Sequence, residues 1–384
     1  MISGQMMSDV SPVQHDAMRR WAEGAPCPIC GSAARTVARL PWGRYRHVDF
    51  SNFAPAPLVI MSCDQCGMAG AVTDKIEALY LNSDYAAHAP SIHAVRPPGS
   101  GASVPAPDHQ AELIGSRLPG PPQAVLDVGS FDGRLLRAIA ARFPLAKRVA
   151  YDVNPNMRKF FPVGDGVQFF ADLDSIRGPF DLVTISQSLM YVRDALGLLV
   201  RVKTWLTPEG RIFIHVPDVE RKPSGLLFGD LHHHFTRTGL LNLLASAGCR
   251  AETVEPTGFT RDLLVIAWAG PANRLTPPDR AIDRATKQLF AMKHTVSSLG
   301  SSGHRWNILG TTIDAAFVAD VLGRAAGDFL DESPFEHGAS FHGHPIRHPR
   351  SLNEGESTIL PLGEAATAAL DRFRSEYRGR FVLV

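Results

Sequence analysis

Four of the five cysteines fall into two matching pairs, Cys27/Cys30 and Cys63/Cys66, each in a Cys-x-x-Cys-Gly segment. Structural Zn²⁺ takes four tetrahedral ligands, and each such turn can present two thiolates to the metal. The glycine after each pair tolerates a positive φ, so the turn can aim N–H groups at sulfur. The alternatives are a redox pair or a chance spacing, but the thioredoxin-like setting of a redox pair is missing. We predict one structural zinc, and we interpret Cys249 as a small buried residue.

A second constellation follows the apolar run at 124–128. There a predicted strand containing Asp127 leads into the turn Gly129-Ser130-Phe131-Asp132-Gly133 and then into a helix. Such a turn lets backbone N–H groups and the helix N-terminus approach a polar ligand. Asp152 ends the next predicted strand, where it can accept hydrogen bonds from ribose hydroxyls. Asp172 ends a third strand, where an adenine would lie. The alternative is a doubly wound domain that binds no cofactor.

The composition is that of an ordinary globular protein, with 45% hydrophobic and 20% charged residues. Its 39 basic and 38 acidic residues nearly cancel, which argues against nucleic acid or an anionic membrane as a partner. We see no apolar run long enough for a membrane helix and no signal peptide at the N-terminus. We therefore expect a soluble, cytoplasmic protein.

The elements that must position these residues divide the chain into three parts. Residues 1–88 hold the cysteine pairs, 89–270 alternate strand and helix patterns, and 271–384 carry a smaller βαβ pattern. The alternation in the middle predicts parallel β-structure with crossover helices. A stretch rich in proline, glycine and serine, Val95 to Asp108, is interpreted as a linker or a mobile lid. A polar helix is expected from Arg280 to about Leu299.

The order of these motifs resembles a class I S-adenosylmethionine (SAM)-dependent methyltransferase. The central part of the chain contains, in this order, the pattern DxGxxxG, a later acidic residue, and the segments FDLVTISQSLMYV and LTPEGRIFIHVPD. More narrowly, the chain resembles the sugar C-methyltransferases of deoxysugar biosynthesis. Those have a zinc module, a central methyltransferase domain and a C-terminal Rossmann-like domain. The resemblance implies this α/β architecture, and it implies SAM as the cofactor. The residues it places at the cofactor are Asp127, Gly129, Ser130, Gly133, Asp152, Asp172 and Gln187.

The catalytic positions of that family are substituted here. Tyr191 stands where the family has a histidine, Leu231 stands at a second histidine, and Tyr85 to His88 replaces a tyrosine-rich segment. Next to Leu231 lie His232, His233 and His234. Because this run follows a strand at the carboxyl edge of the predicted sheet, one of the three is a candidate general base. Tyr191 is a candidate donor to the acceptor, or an ordinary packed aromatic residue. The alternative is that the three histidines belong to a polar loop and have no catalytic role.

Two further features carry no predicted chemistry. The second histidine-rich stretch, from His337 to His348, is interpreted as a solvated loop because glycine and proline interrupt it. The turn at Gly310 is interpreted as a docking or substrate-covering element.

Methyl transfer from SAM to a small molecule is the favoured function, with a nucleotide-activated sugar as one candidate acceptor. O- or N-methylation of another small molecule is an alternative, and so is a SAM-binding scaffold without turnover. Nucleic-acid methylation is disfavoured by the neutral charge. The sequence does not identify the acceptor or the oligomeric state.

Overall fold

A computed structural model describes the chain over most of its length. Tyr85, His88, Pro334 and His337 lie outside the described residues, and so does the chain before Trp21. The described ranges are 21–46, 53–55, 57–72, 94–255, 257–271, 275–332, 338–361 and 366–384.

The cysteine-bearing part is a small antiparallel sheet with a two-stranded ribbon beside it. Strands β1, β4 and β5 lie next to one another in that order, and β2 pairs with β3. Cys27 and Cys30 precede β1, Cys63 ends β4 and Cys66 lies in the turn to β5, so the pairing of β1 with β4 brings the two distant pairs together. The bounds are β1 (Ala34–Leu40), β2 (Arg44–Arg46), β3 (Phe53–Pro55), β4 (Leu58–Cys63) and β5 (Ala69–Val72).

The predicted linker is structured, which corrects the interpretation of this stretch as a linker or lid. Strands β6 (Ala94–Val95) and β7 (Val104–Pro105) form a short antiparallel hairpin, and helix α1 (Ala106–Gly115) begins directly after it. Prolines favour both features, because a fixed φ suits a strand end and the first turn of a helix. Ile114 and three other residues of α1 are buried, so the helix packs on the central sheet.

Seven strands form the central sheet, in the order β10-β9-β8-β11-β12-β15-β14. The first five are parallel, and β15 runs antiparallel to both its neighbours. This confirms the α/β class with a mixed central sheet. The bounds are β8 (Ala124–Val128), β9 (Lys147–Tyr151), β10 (Val167–Phe170), β11 (Phe180–Ser186), β12 (Leu206–Pro217), β14 (Cys249–Thr253) and β15 (Asp262–Ala269).

Helices cover both faces of this sheet, as a parallel sheet requires. Helix α2 (Arg134–Arg142) packs with α1 on the face that carries Phe213. Helices α3 (Ala195–Thr204) and α4 (Arg237–Ser246) pack on the opposite face. Alternate residues of the strands serve the two faces, so nearly every side chain of β8 and β11 is buried.

The last part contains a six-stranded sheet in the order β18-β19-β17-β16-β20-β21. All neighbours are parallel except β18 and β19. The expected polar helix is α5 (Ala281–Gly300), and α6 and α7 complete this part. The stretch interpreted as a solvated loop instead supplies β18 and β19. The bounds are β16 (Trp306–Leu309), α6 (Ile313–Leu322), β17 (Ala326–Leu330), β18 (Ser340–Phe341), β19 (His344–Arg347), β20 (Ser357–Leu360), α7 (Ala366–Glu376) and β21 (Arg380–Leu383).

The three parts share buried surface. One apolar cluster contains Ile60 of β4, Leu226 of the segment after β12, Leu289 of α5 and Phe317 of α6. Arg35 of β1 also pairs with Asp283 of α5, with 2.6 Å between the charged atoms. The parts are therefore packed as one structure. None of the described helices has the length and apolar character needed to cross a membrane.

Candidate functional site

The turn after β8 is shaped by two glycines. Gly129 has φ 76° and Gly133, which precedes α2, has φ 74°. A Cβ on Gly129 would lie 2.4 Å from the Cβ of Ser188, and one on Gly133 would lie 2.4 Å from the ring of Phe161. The turn therefore needs glycine at both positions, for conformation and for space.

The backbone of this turn is held against the end of β9. The N–H groups of Gly129 and Ser130 both donate to the carbonyl of Tyr151, at 2.8 and 2.9 Å. The Ser130 hydroxyl is buried and has no hydrogen-bond partner among the residues that the structure describes. Because a buried hydroxyl without a partner is costly, this group fits a site that a polar ligand completes.

Asp152 lies at the centre of the site. One carboxylate oxygen accepts from the N–H of Phe131 at 3.0 Å, and the other accepts from the N–H of Asn154 at 2.9 Å. Burial raises the pKa of this carboxyl, while those two bonds oppose the rise. A carboxylate offers about four acceptor positions, so Asp152 keeps capacity for ligand hydroxyls.

The buried Asp127 carboxyl lies on the same edge of the sheet. It accepts a hydrogen bond from the Thr184 hydroxyl at 2.6 Å. Burial raises its pKa to about 7, and the nearby charges of Asp152 and Asp132 add to the rise. Asp127 is therefore poised to carry a proton near neutral pH.

The remaining predicted cofactor residues lie in different settings. Asp172 is exposed and accepts from the Asp174 N–H at 2.9 Å and from the Ser175 hydroxyl at 2.8 Å, and these bonds lower its pKa. Gln187 directly follows β11 with φ 54°, and its N–H donates to the carbonyl of His215 at 2.7 Å. Gln187 thus lies one residue from Ser188, which contacts the glycine turn.

The three adjacent histidines lie where the cysteine-bearing sheet meets the central part. His233 and His234 form a short strand, β13 (His233–His234), which pairs antiparallel with Ala69 and Gly70 of β5. The N–H of His232 donates to the carbonyl of Met190 at 2.9 Å. The run is therefore a strand of the first sheet and not a free loop.

The rings of these histidines differ in their contacts. His233 Nδ1 accepts from the indole N–H of Trp21 at 3.2 Å, and its Nε2 lies 3.1 Å from the carbonyl of Arg193. Within the described part of the chain, both ring nitrogens of the buried His234 lack hydrogen-bond partners. Burial lowers the pKa of His232 and His234 to about 3 and that of His233 to about 4. All three rings are therefore neutral, and a catalytic role for the run stays a prediction.

Tyr191 ends a single helical turn that follows Ser188. Its N–H donates to the Ser188 carbonyl at 3.0 Å, and its partly buried ring packs at the edge of the core on the α3 face. The segments of Tyr191 and His232 are adjacent, because the N–H of His232 donates to the carbonyl of Met190, the residue before Tyr191.

A polar network on the other face of the sheet was not predicted. The His215 ring is 3% exposed, and its Nε2 lies 2.9 Å from a carboxylate oxygen of Asp262 on β15. The side-chain nitrogen of Gln110 on α1 contacts His215 Nδ1 and donates to the Ser186 hydroxyl at 3.1 Å. One signal was available: His215 interrupts the otherwise apolar run of β12. The partners come from distant elements and leave no local pattern.

The predicted metal ligands form one compact cluster. The four sulfur atoms of Cys27, Cys30, Cys63 and Cys66 lie within 4.8 Å of one another. Cys27 and Cys66 sulfurs are 3.7 Å apart, and those of Cys30 and Cys63 are 3.5 Å apart. Thiolates at about 2.3 Å from a tetrahedral ion lie roughly 3.8 Å from each other. The donor set and its spacing therefore fit Zn²⁺.

Backbone contacts support the same interpretation of the cluster. The N–H groups of Ile29 and Gln65 each approach a cysteine sulfur at 3.4 Å, as in a turn wrapped around a metal. The hydrogen bond between Cys66 and Cys27 lowers the pKa of Cys27 to about 6 and raises that of Cys66, and burial raises the pKa of Cys63 to about 11. Cys249 lies apart from the cluster and is buried at the start of β14, as expected.

Comparison with known proteins identifies the central part. Residues 108–254 match the model of a methyltransferase domain. Trans-aconitate 2-methyltransferase of Streptomyces avermitilis is 27% identical and aligns with 36% of this chain. The chain spans 62% of the length of that relative.

Solved structures with a similar fold are more distant. The plantazolicin methyltransferase BpumL, in complex with a monoazolic desmethylPZN analog and S-adenosylhomocysteine (SAH), is 15% identical. The match covers 42% of this chain and 81% of that chain, with a TM-score of 0.37. The mitomycin 7-O-methyltransferase MmcR is 17% identical. The match covers 42% of this chain and 54% of that chain, again with a TM-score of 0.37. These likenesses are too remote to bear on the chemistry of this chain. The family match and the strand order show that the chain contains a class I SAM-dependent methyltransferase domain.

Proposed function

We propose that this protein transfers the methyl group of SAM to a small-molecule acceptor. The observation that carries the proposal is the glycine turn after β8. Its backbone donates to Asp152, and it holds a buried Ser130 hydroxyl that has no hydrogen-bond partner in the described ranges. A turn that admits no side chain, next to a carboxylate with acceptor capacity, suits the ribose and the charged end of a nucleoside-like cofactor.

Each residue of the candidate cofactor site has its own role in binding SAM. Gly129 and Gly133 give close access to the backbone, Asp152 accepts from ribose hydroxyls, and Ser130 donates to a polar group of the ligand. Asp127, Asp172 and Gln187 line the rim of the same edge. When bound, SAM supplies a sulfonium leaving group, so the protein has to hold the acceptor in line and take up a proton where one is released.

We also propose that the cysteine cluster holds a structural zinc ion and that the chain is organised as 1–88, 89–270 and 271–384. The zinc would fix the end of β4 and the turns beside it. Because β13 completes the first sheet, the zinc module is built from both the first and the second segment of the chain. The last segment would then be a Rossmann-like companion domain.

The acceptor is proposed by chemical class only. The sequence resemblance favours a nucleotide-activated sugar methylated at carbon, whereas the curated relative acts on trans-aconitate, as its name states. Tyr191 and His232, whose segments are joined by a backbone hydrogen bond, would contact the acceptor. Leu231 stands where the resemblance places a histidine, which keeps O- or N-methylation as an alternative to C-methylation.

A transfer assay tests the proposal. Purified protein is incubated with SAM carrying a labelled methyl group and with trans-aconitate, simple phenols and nucleotide sugars in parallel. We expect label in one class of acceptor, together with SAH in equal amount. Tight SAM binding without label transfer to any acceptor would instead favour the scaffold alternative. Absence of SAM binding would reject both.

A further inference from the structure

The buried network on the α1 face joins four elements at one point. Gln110 comes from α1, Ser186 from the end of β11, His215 from β12 and Asp262 from the start of β15. Gln110 and His215 are both buried, at 6% and 3% exposure. Burying polar groups of this kind in an apolar sheet face costs free energy of folding. We therefore expect the network to have a role other than stabilising the fold.

The contacts define which ring nitrogen of His215 carries the proton. The Gln110 amide nitrogen donates to Nδ1, so Nδ1 is an acceptor and Nε2–H donates to Asp262. A carboxylate on one ring nitrogen orients the imidazole and stabilises the cation that forms when the other nitrogen takes up a proton. His215 is therefore built to accept a proton at Nδ1.

The backbone of His215 is bonded to the segment that reaches the proposed cofactor turn. Ser186 and His215 are opposite one another in the β11–β12 register, and the carbonyl of His215 accepts from the N–H of Gln187. The next residue, Ser188, donates to the carbonyl of Val128 at 2.8 Å and leaves no room for a Cβ on Gly129. A continuous run of three residues thus connects the His215 backbone to the glycine turn.

Helix α1 packs over the His215 ring. His109 Nε2 lies 2.8 Å from the carbonyl of Thr257, and its ring stacks on Phe259, which also contacts the His215 ring edge-on. His109 therefore fixes α1 over the sheet edge, while the neighbouring Gln110 reaches His215. An amide that donates one hydrogen bond to Nδ1 can be replaced there by an acceptor molecule that donates its own.

We propose that His215 is the general base of the reaction, that Asp262 orients it, and that Gln110 occupies Nδ1 until an acceptor displaces it. The inference rests on the proposed methyl transfer. The acceptor would be a molecule with an O–H, N–H or acidic C–H group. Its proton passes to His215 Nδ1, and its electron pair forms the bond to the methyl carbon. The carbon–sulfur bond breaks toward sulfur, which leaves neutral SAH and an imidazolium facing Asp262.

The charged groups around the ring are consistent with this role. Asp262 on β15 contacts the ring directly, and Asp218 and Arg221 follow β12, with Arg221 also donating to the Asp262 carbonyl at 3.3 Å. On α1, His109 faces Glu112 at 3.4 Å. Among the described residues, the charged group in contact with the His215 ring is thus the Asp262 carboxylate.

The first test needs no acceptor. Protein labelled with ¹⁵N in the histidine rings is studied by long-range ¹H–¹⁵N correlation, and the His215 signals are assigned by their loss in His215→Asn. We expect Nε2 protonated and Nδ1 unprotonated in the wild-type protein at neutral pH. In Asp262→Asn, the Nδ1–H form should become populated. A wild-type ring protonated at Nδ1 would overturn the proposal.

The second test measures transfer to whichever acceptor is labelled in the panel assay. His215→Ala should lower the rate by about 10²–10⁴-fold, and added imidazole should restore part of it. The affinity for SAM, measured by calorimetry, should stay within about twofold, because the ring donates nothing to the cofactor turn. If His215→Ala does not fold, His215→Asn takes its place. His294→Gln, at an exposed position on α5, is the matched control and should change neither quantity.

The outcomes separate the two proposals. Full transfer by His215→Ala with intact SAM binding would reject the role of His215 and leave the methyltransferase proposal standing. A wild-type protein that does not bind SAM would reject the methyltransferase proposal itself. If SAM binds but no acceptor in the panel is labelled, the proton position on the His215 ring decides.

Discussion

At the scale of single residues, the candidate cofactor site depends on places where no side chain fits. Gly129 is the clearest example of such a place. Its φ of 76° is unfavourable for other residues, and the absence of a Cβ leaves room for Ser188. The two effects can be separated, since Gly303 has the same φ of 76° and nothing within 4 Å of an added Cβ.

Gly129→Ala should therefore weaken SAM binding on the order of tenfold to a hundredfold, because the turn must shift away from Ser188. Gly303→Ala shares the backbone strain and should lower the melting temperature slightly while leaving SAM affinity unchanged. Calorimetry on both variants makes the comparison. Equal SAM affinity in Gly129→Ala and wild type would show that the turn does not hold the cofactor.

Asp127 gives a prediction about pH. Because the folded protein raises the pKa of this carboxyl from 3.8 to about 7, the native state binds the proton more tightly than the unfolded chain. Stability from this group is therefore present at low pH and is lost as the pH rises between those two pKa values. Across that range, the free energy of unfolding falls by about 1.4 kcal/mol for every pH unit.

Asp127→Asn removes this dependence and keeps an acceptor for the Thr184 hydroxyl. The melting temperature of the variant relative to wild type should therefore be higher at about pH 8 than at about pH 5. A difference between the two proteins that is the same at both pH values would contradict the burial of the charged carboxylate.

The residues of the site differ in how far the sequence could predict them. Gly129, Gly133 and Asp152 follow predicted strands at short spacing, so a local pattern placed them at one edge. His215 could not be assigned in this way, because Gln110 and Asp262 reach it only after α1 and β15 have packed. Asp172 was predicted from strand ends alone, and its side chain faces solvent and caps its own turn.

At the scale of elements, strands and helices with a clear period were well predicted. The polar helix expected from Arg280 to Leu299 is α5, shifted by one residue at each end. The linker interpretation of Val95 to Asp108 is wrong, because prolines suit a hairpin and a helix start as well as a linker. The pairing of β13 with β5 joins segments far apart in the chain, which no local spacing reveals.

The cysteine cluster gives the element-scale prediction. We expect one zinc ion per chain by metal analysis, and Cys30→Ser should lower both zinc content and soluble yield because such sites contribute folding free energy. Cys249→Ser is the matched control, since that cysteine is buried but lies outside the cluster. Metal-free wild-type protein that folds normally would contradict the structural role.

At the scale of the whole molecule, the three segments are less separate than the sequence suggested. The boundaries at 88 and 270 stay a prediction from composition, and the cluster around Phe317 includes buried residues from all three segments. Sequence composition marks where chain connections are polar, and it does not report which surfaces pack together afterwards.

Phe317→Ala should therefore destabilise the entire protein by about 3–5 kcal/mol, because it removes a fully buried ring from this shared core. Calorimetric unfolding should show the loss in the transition that also unfolds the cysteine-bearing sheet. Val163→Ala, at a fully exposed position, should have no such effect. A Phe317→Ala protein whose cysteine-bearing sheet melts at the wild-type temperature would show that the last segment is independent.

The account as a whole depends on the cofactor, and a calorimetric titration of SAM into the intact chain tests it most directly. Wild type should bind one SAM per chain. Asp152→Asn should bind about ten to a hundred times more weakly, because a charge-assisted hydrogen-bond acceptor worth ~1.5–3 kcal/mol is lost. Absence of binding to wild type, or equal affinity of the two proteins, would contradict the assignment of this edge of the sheet as the methyl-donor site.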